Sequence, residues 1–245
     1  MATIILVHGA WHGSWCWERV IPHLKAAHFL VRAPDLPGHG QDKTPIREVT
    51  LQAYVDKICE VIDSAQPPVM LVGHSLGGMV ITQAAESRPD KIDLLVYVCA
   101  FLLENGQSRH DGAPVDPQSI MGPRVLNKSA DGSYTTIKPS ALKDLFYGDC
   151  TDEDVALVQA RIGPQAAAPP ATRLKTSDEN FGRVRRIYIE TLQDRAMTPN
   201  MQRAMYTALP CEKVIAMNTS HSPFWSQPKE LAQHLLGLAG GSSSD

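Results

Sequence analysis

The sequence predicts an α/β fold built on one mostly parallel, doubly wound sheet. Short continuous apolar runs recur along the chain and are typical of strands that are buried on both faces. Amphipathic stretches with helical spacing separate these runs, and this alternation favours parallel strands joined by right-handed crossovers. The 245 residues are enough for one such domain with a sizeable core. The predicted strands are residues 4–7, 29–31, 69–72, 94–99, 186–191 and 213–217.

The first strand is followed by a histidine-rich loop and a helix. His8 and His12 lie in loop 8–13, and we interpret both as structural residues that hold the loop by hydrogen bonds. Apolar residues at helical spacing predict a helix over residues 15–27. Because of Pro22, the sequence does not fix the residue at which this helix begins.

Two further features precede the third strand. Asp35 and His39 lie in a segment rich in proline and glycine, and we interpret both as turn-forming rather than catalytic. An apolar stripe then predicts a crossover helix over residues 51–62, which covers the sheet.

The third strand ends in Gly-x-Ser-x-Gly, and a helical stretch follows over residues 76–88. A strand, a sharp turn and a helix are the context in which this motif carries a nucleophile. Gly73 and Gly77 stand where a Cβ would clash with neighbouring backbone. Ser75 is thereby exposed at the end of the strand, and the N–H of Leu76 and the helix N-terminus could stabilise an oxyanion there.

An acid and a histidine follow later strands in the same way. Asp194 comes after strand 186–191 and precedes Thr198 and Pro199, which predict the start of a helix over residues 199–209. His221 follows strand 213–217, and Pro228 opens a last helix. Because parallel strands end at one edge of the sheet, we expect Ser75, Asp194 and His221 to meet there. Glu104, after strand 94–99, is the alternative acid.

The motif and the chain order of serine, acid and histidine resemble the α/β-hydrolase family. The resemblance implies a catalytic triad of Ser75, Asp194 and His221, with the N–H groups of Ala10 and Leu76 as the oxyanion hole. It also implies a hydrolase core over residues 1–103 and 184–239 with a small cap subdomain over 104–183, where buried strands stop and short apolar clusters remain. We expect residues 240–245 to form a flexible tail without a role.

The run His-Gly-Ala-Trp-His-Gly-Ser-Trp at residues 8–15 narrows the resemblance to the methylesterase and hydroxynitrile lyase group. The lyases of that group carry a threonine and a lysine where this chain has Gly9 and Ser222. Without the ammonium group no side chain would stabilise a departing cyanide, so ester hydrolysis is favoured. A hydroxynitrile lyase or other enzyme that cleaves C–C bonds, and a ligand-sensing protein on the same scaffold, are the alternatives. Bacterial carboxylesterases are the nearest comparison for substrate.

The predicted substrate is a small carboxylic ester, of a short-chain or aryl type. We expect substrate contacts from Gly9, Trp11, Phe146, Tyr147 and Phe224, and an apolar pocket to which the cap contributes. Candidates for that pocket from the cap are Met121, Leu126, Tyr134, Phe146 and Tyr147.

Net charge and cysteine content indicate which binding partners and which cellular compartment to expect. A formal net charge of -3 gives no reason to expect nucleic acid or an anionic membrane as a partner. Five cysteines without CxxC spacing suit reduced thiols, and the chain starts without signal-peptide features, so we predict a cytoplasmic enzyme. The triad chemistry needs no metal or cofactor. Homodimer formation is left open.

Overall fold

The computed structural model describes residues 2–240, and within them a six-stranded parallel sheet forms the centre of the fold. The strand order is β2-β1-β3-β4-β8-β9, and every neighbouring pair is parallel. This confirms the predicted fold class. The strands are β1 Thr3–Val7, β2 Leu30–Arg32, β3 Val69–His74, β4 Leu94–Val98, β8 Arg186–Thr191 and β9 Lys213–Met217.

Helices cover both faces of this sheet, and those that the sequence predicts follow their predicted bounds within a few residues, with one exception. The predicted helix over 15–27 is instead a 3₁₀ turn at Ser14–Trp17 and a separate α-helix that starts at Ile21. Pro22 lacks an N–H and fits only the first turn of a helix, so the α-helix begins there. The helices are α1 Ile21–Ala26, α2 Leu51–Asp63, α3 Gly77–Ser87, α4 Arg109–Gly112, α5 Leu142–Phe146, α6 Asp152–Gln159, α7 Ala168–Ala171, α8 Pro199–Ala208, α9 Pro223–Ser226 and α10 Pro228–Gly240.

Residues 104–183, here called the insertion, contain a second, antiparallel sheet that the sequence did not predict. Its strands are β5 Leu126–Lys128, β6 Tyr134–Ile137 and β7 Gln165–Ala166, in that order. They are short and mostly half-exposed, so they lack the apolar pattern of the central strands. The cap bounds stay a prediction. The predicted tail is wrong at Gly240, which ends α10, and residues 241–245 lie outside the described residues.

The central strands β1, β3 and β4 are buried along their whole length, whereas the edge strands β2 and β9 are partly exposed. Burial on both faces explains their continuous apolar sequences. The loops that follow β1, β3, β8 and β9 all lie at the carboxyl edge of the sheet, where open α/β sheets place their sites. No helix among residues 2–240 is long and apolar enough to cross a membrane.

Candidate active site

Ser75 lies at a strained turn between β3 and α3. Its φ is 52°, in the left-handed region that side-chain-bearing residues rarely adopt. A Cβ on Gly73 would lie 2.7 Å from the carbonyl oxygen of Gly77, and a Cβ on Gly77 would lie 2.8 Å from that of Val7. Only glycine therefore lets α3 and β1 approach β3 closely enough to form this turn, as the sequence predicts.

The loop after β1 packs directly against the Ser75 turn. A Cβ on Gly9 would lie 2.8 Å from the Cβ of Ser75 and equally close to Nδ1 of His74. Ala10 and Leu76 flank Ser75 on the wall of one cavity, and among residues 2–240 neither backbone N–H has a protein acceptor. These are the two N–H groups that the sequence resemblance implies for the oxyanion hole. A threonine at position 9 would force the loop away from Ser75.

Asp194 and His221 form a buried pair. The Nδ1–H of His221 donates to Oδ2 of Asp194 at 2.5 Å, and both residues are at most 3% exposed. Oδ1 of Asp194 accepts from the N–H groups of Ala196 and Met197, each at 2.8 Å, and the Thr191 hydroxyl donates to Oδ2 at 3.2 Å. Four donors therefore fix the carboxylate and, through it, the tautomer of His221.

The alternative acid, Glu104, lies elsewhere. Its side chain is exposed and accepts from the Gln107 amide at 2.9 Å. It makes no contact with His221 in the described chain. Asp194 alone is therefore in place to orient the imidazole.

The backbone of His221 is fixed by two neutral donors from the central strands. Nε2–H of His74 donates to the His221 carbonyl at 2.9 Å, and the Cys99 thiol donates to the same oxygen at 3.3 Å. Burial, and then the neighbouring His221 ring, lowers the pKa of His74 well below its usual value, and burial raises the pKa of Cys99 well above its own. One ligand atom each from His74, Cys99 and His221 lies within 4.8 Å of the others. Because Nε2–H and S–H point at a carbonyl, we interpret the group as donors that hold the loop.

Helix α5 and the loop after it contact the His221 loop from the insertion. The ring of Phe146 stacks on the His221 ring, with 5.1 Å between centroids and 27° between planes. The hydroxyl of Ser220 donates to the carbonyl of Phe146 and to Asp149, and the N–H of Ser220 donates to Asp149 at 3.1 Å. The insertion therefore sets the position of the ring as well as covering the site.

The histidines of the first loop have structural contacts, in agreement with the sequence interpretation. His8 donates from Nδ1 to the Gly9 carbonyl at 2.8 Å, and its Nε2 accepts from the N–H of Leu36 at 3.1 Å. His12 donates from Nδ1 to the Ala10 carbonyl and accepts from the Tyr147 hydroxyl, both at 2.7 Å. Asp35 accepts from the N–H groups of Ser14 and Gln41, which suits its predicted turn-forming role.

The cavity in front of Ser75 has a volume of about 520 Å³ and lies between the sheet edge and the insertion. Trp11 is on its wall as predicted, and Nε1–H of Trp11 is directed at the carbonyl and hydroxyl of Thr135 in β6, at 3.2 and 3.3 Å. Met121 and Leu126 also line it. The wall is mostly apolar, and its larger apolar side chains are Trp11, Leu76, Phe101, Met121, Leu126, Met197 and Met201.

Four of the five predicted substrate contacts do not lie on the cavity wall. Phe146, Tyr147 and Phe224 are at most 2% exposed and pack behind the His221 and His12 rings. Gly9 is covered because it packs on Ser75 and His74. Tyr134, another candidate from the insertion, is also absent from the wall. The aromatic character of Phe146, Tyr147 and Phe224 is typical of buried side chains but could not indicate which surface each would face, and Tyr134 is only half-buried.

Sequence reasoning missed the polar groups that the insertion supplies to the cavity. Arg109, Lys128 and Gln165 line the wall, and each lies on a short helix or strand of the insertion. A lone arginine in a polar segment carries no motif. The capping box of Ser108 and Asp111 was the one local signal that could have placed Arg109 at a helix start.

Comparisons with known proteins agree on one family. The sequence profile of the "Alpha/beta hydrolase family" matches residues 4–234. "Putative methylesterase 11, chloroplastic" of Arabidopsis thaliana is 35% identical in an alignment of 246 positions that covers 96% of this chain and 63% of that protein. The "Pyrethroid hydrolase" of Sphingobium wenxiniae is 29% identical, over 98% of this chain and 88% of that protein. The chain thus spans less than two thirds of the length of the first relative.

Solved structures give the same result for the fold. The crystal structure of a pyrethroid hydrolase from Sphingobium faniae JZ-2 superposes with a TM-score of 0.87 at 28% identity and covers 99% of both chains. A match of this extent includes the insertion as well as the central sheet.

Proposed function

This chain belongs to the alpha/beta hydrolase family, and from that premise we propose that it is a serine carboxylesterase that cleaves small carboxylic esters through an acyl-enzyme on Ser75. The observation that supports this most is the cavity itself, because its wall carries Ser75, His221, Ala10 and Leu76 together. The relatives named methylesterase and pyrethroid hydrolase agree with ester substrates.

In the acylation step, Oγ of Ser75 attacks the ester carbonyl carbon while Nε2 of His221 accepts the serine proton. Asp194 holds the imidazole by its Nδ1–H and stabilises the imidazolium that forms. The carbonyl oxygen becomes an oxyanion and is stabilised by the N–H groups of Ala10 and Leu76 and by the N-terminus of α3. The imidazolium then protonates the departing alkoxide, and an alcohol leaves.

In the deacylation step, water replaces the alcohol. His221 removes a proton from the water as it attacks the acyl carbon, and the same two N–H groups stabilise the second oxyanion. Collapse of this intermediate returns the proton to Ser75 and releases the carboxylic acid. Apart from the substrate and water, both steps use only groups of this chain.

Two positions separate this proposal from cyanohydrin cleavage. Gly9 leaves no room for the threonine of the lyases unless the loop moves, and Ser222 follows the histidine where the lyases carry a lysine. Ester hydrolysis needs neither group.

The first test removes the nucleophile. Ser75→Ala should lower kcat for a p-nitrophenyl ester series from acetate to decanoate by about 10⁴-fold or more while the fold is retained. Ser87→Ala is the matched control, because Ser87 is exposed at the end of the same helix and its hydroxyl only donates to the Gln83 carbonyl. Equal turnover by Ser75→Ala and wild type would refute the proposal.

The second test concerns the acid. Asp194→Asn should lower kcat by about 10³- to 10⁴-fold, because an amide at this position cannot stabilise the imidazolium and favours the wrong tautomer. Glu104→Gln removes the alternative acid and should leave kcat within twofold of wild type. A larger loss for Glu104→Gln than for Asp194→Asn would reverse the assignment.

A cytoplasmic location is part of the same proposal. All five cysteines are unpaired thiols, and four of them are buried. Free thiols are typical of a reducing compartment.

A further inference from the structure

Arg109 brings a positive charge without a counter-ion into the cavity of Ser75. Its side chain lines the cavity and is half-buried, and its guanidinium lies 5.8 Å from the ring centroid of Phe101, another wall residue. Among residues 2–240 its guanidinium has no ion pair and no hydrogen bond. Burial lowers the pKa of Arg109. A guanidinium nevertheless stays protonated in proteins, so the group carries its charge in the cavity.

The nearby carboxylates are all engaged by other partners. Asp111, two residues along the chain, accepts from the N–H and hydroxyl of Ser108 and pairs with Arg173. Asp116, the one acid on the cavity wall, accepts from the Thr198 hydroxyl at 2.6 Å and from the Gln118 N–H at 2.8 Å. The charge of Arg109 is therefore left for something that enters the cavity.

Other charges on the wall reinforce the positive potential. Lys128 is an exposed residue that also lines the cavity, and it adds a second cation. His110 also lines it, and burial and the Arg109 charge lower its pKa, so it is neutral near pH 7. The described wall thus carries two cations, Arg109 and Lys128, against the one carboxylate of Asp116, and most of its other side chains are apolar.

The position of Phe101 relates Arg109 to the nucleophile. The N–H of Phe101 donates to the Ser75 carbonyl at 3.0 Å, and its ring centroid lies 5.8 Å from the guanidinium carbon of Arg109. Because Phe101 contacts both groups, a substrate that reacts at Ser75 can reach Arg109 with an anionic group at its far end. The apolar wall suits a hydrocarbon spacer between them.

We propose that the ester substrate carries a carboxylate remote from the scissile bond, as in a monoester of a dicarboxylic acid, and that Arg109 binds this carboxylate. The inference rests on the proposed esterase function and names its substrate class. A guanidinium binds a carboxylate through two parallel N–H donors, and such charge-assisted bonds are strong where water is partly excluded. Bound substrate thereby supplies the counter-ion that residues 2–240 do not.

The kinetic test compares two esters that differ only at the far end. Monomethyl adipate carries a carboxylate where methyl hexanoate carries a methyl group. Wild type should have the higher kcat/KM for monomethyl adipate, and Arg109→Gln should lower the ratio of the two kcat/KM values by about 10- to 100-fold. Arg109→Lys keeps the positive charge but lacks the planar donors, so it should lower this ratio of kcat/KM values less than Arg109→Gln does.

The matched control removes a positive charge elsewhere in the insertion. Arg124 is exposed and does not line the cavity, so Arg124→Gln should leave the ratio within twofold of wild type. An equal fall in Arg124→Gln and Arg109→Gln would indicate a general charge effect and overturn the assignment. A wild-type preference for methyl hexanoate would overturn it as well.

A binding measurement separates this proposal from the proposed catalysis. In Ser75→Ala, calorimetric titration should give a lower Kd for monomethyl adipate than for methyl hexanoate, and Arg109→Gln in that background should remove the difference. Equal Kd values overturn the role of Arg109 even if wild type hydrolyses both esters. Tighter binding of monomethyl adipate that depends on Arg109, without hydrolysis by wild type, supports the carboxylate site and refutes the esterase instead.

Discussion

Gly9 shows how one missing Cβ shapes the proposed oxyanion hole. The loop that presents the Ala10 N–H packs on the Cβ of Ser75 and on the ring of His74, and both neighbours are fixed. His74 cannot move away, because its Nε2–H donates to the His221 carbonyl. The loop can therefore lie this close to Ser75 only with glycine at position 9.

Gly9→Ala should lower kcat for p-nitrophenyl acetate by about 10²-fold, the cost of a displaced oxyanion donor. The Cβ would push the Ala10 N–H away from the oxyanion, whereas ground-state binding depends on other walls and KM should change little. Gly163→Ala is the control, because Gly163 donates its N–H to the Trp11 carbonyl and a Cβ there meets nothing within 4 Å. If Gly9→Ala retains wild-type kcat, the Ala10 N–H is not part of the hole.

The sequence could predict some residues of the candidate site but not others. Ser75 could be proposed from the sequence because a local motif and its strand and helix specify its backbone, and Asp194 and His221 could be proposed because each follows a strand. The role of Arg109 could not be predicted from the sequence. It depends on whether the neighbouring carboxylates already have other partners, as Asp111 and Asp116 do. Such pairing is a property of the assembled structure.

Among the elements, α5 and the following loop hold His221 in position from behind the cavity. The stack of Phe146 on the His221 ring restrains its tilt, and the bonds from Ser220 to Asp149 and to the Phe146 carbonyl restrain the loop. Both contacts lie behind the cavity wall. A change here should therefore affect the chemical step more than substrate binding.

Phe146→Leu should lower kcat by about 10-fold with KM within twofold of wild type, because the ring restraint is lost while the wall is unchanged. Steady-state kinetics on p-nitrophenyl butyrate measures both constants. Phe181→Leu is the control, since Phe181 is equally buried but packs under Arg186 away from the site. A rise in KM with unchanged kcat would instead restore Phe146 as a substrate contact.

The two sheets differ in how well sequence predicts them, for a physical reason. Strands of the central sheet are buried on both faces and read as continuous apolar runs, so their bounds were predicted within about two residues. Strands of the insertion are two to four residues long, and β5 and β6 are partly exposed. Their pairing depends on contacts far along the chain, which no local pattern records.

At the scale of the whole molecule, burial of neutral histidines couples the fold to pH. His8, His12, His39 and His74 are each at most 3% exposed. Burial lowers the pKa of His12 to about 3 and that of His39 to about 4, and it lowers the pKa of His8 and His74 well below the usual value. The unfolded chain therefore binds more protons than the folded chain below about pH 6.5, and the free energy of unfolding rises with pH through that window.

Lowering the pH from 7 to 5 should therefore reduce the free energy of unfolding by about 2 kcal/mol per buried histidine, or about 8 kcal/mol for the four together. Such a loss is comparable with the whole stability of a typical domain. Urea unfolding monitored by circular dichroism at pH 7, 6 and 5 measures it. Carboxylates with a lowered pKa, such as Asp63 with a pKa of about 2, change the free energy of unfolding only below this pH range.

One substitution tests the origin of that pH dependence. His39→Gln removes one buried ring and its contact with the Tyr54 hydroxyl at 2.8 Å, so stability falls at every pH. Its decline between pH 7 and 5 should nevertheless be smaller than that of wild type by about 2 kcal/mol, because one proton fewer binds on unfolding. His23→Gln, which removes an exposed histidine, should leave the decline unchanged. If His39→Gln and His23→Gln decline in parallel with wild type, the acid sensitivity arises from groups other than the buried histidines.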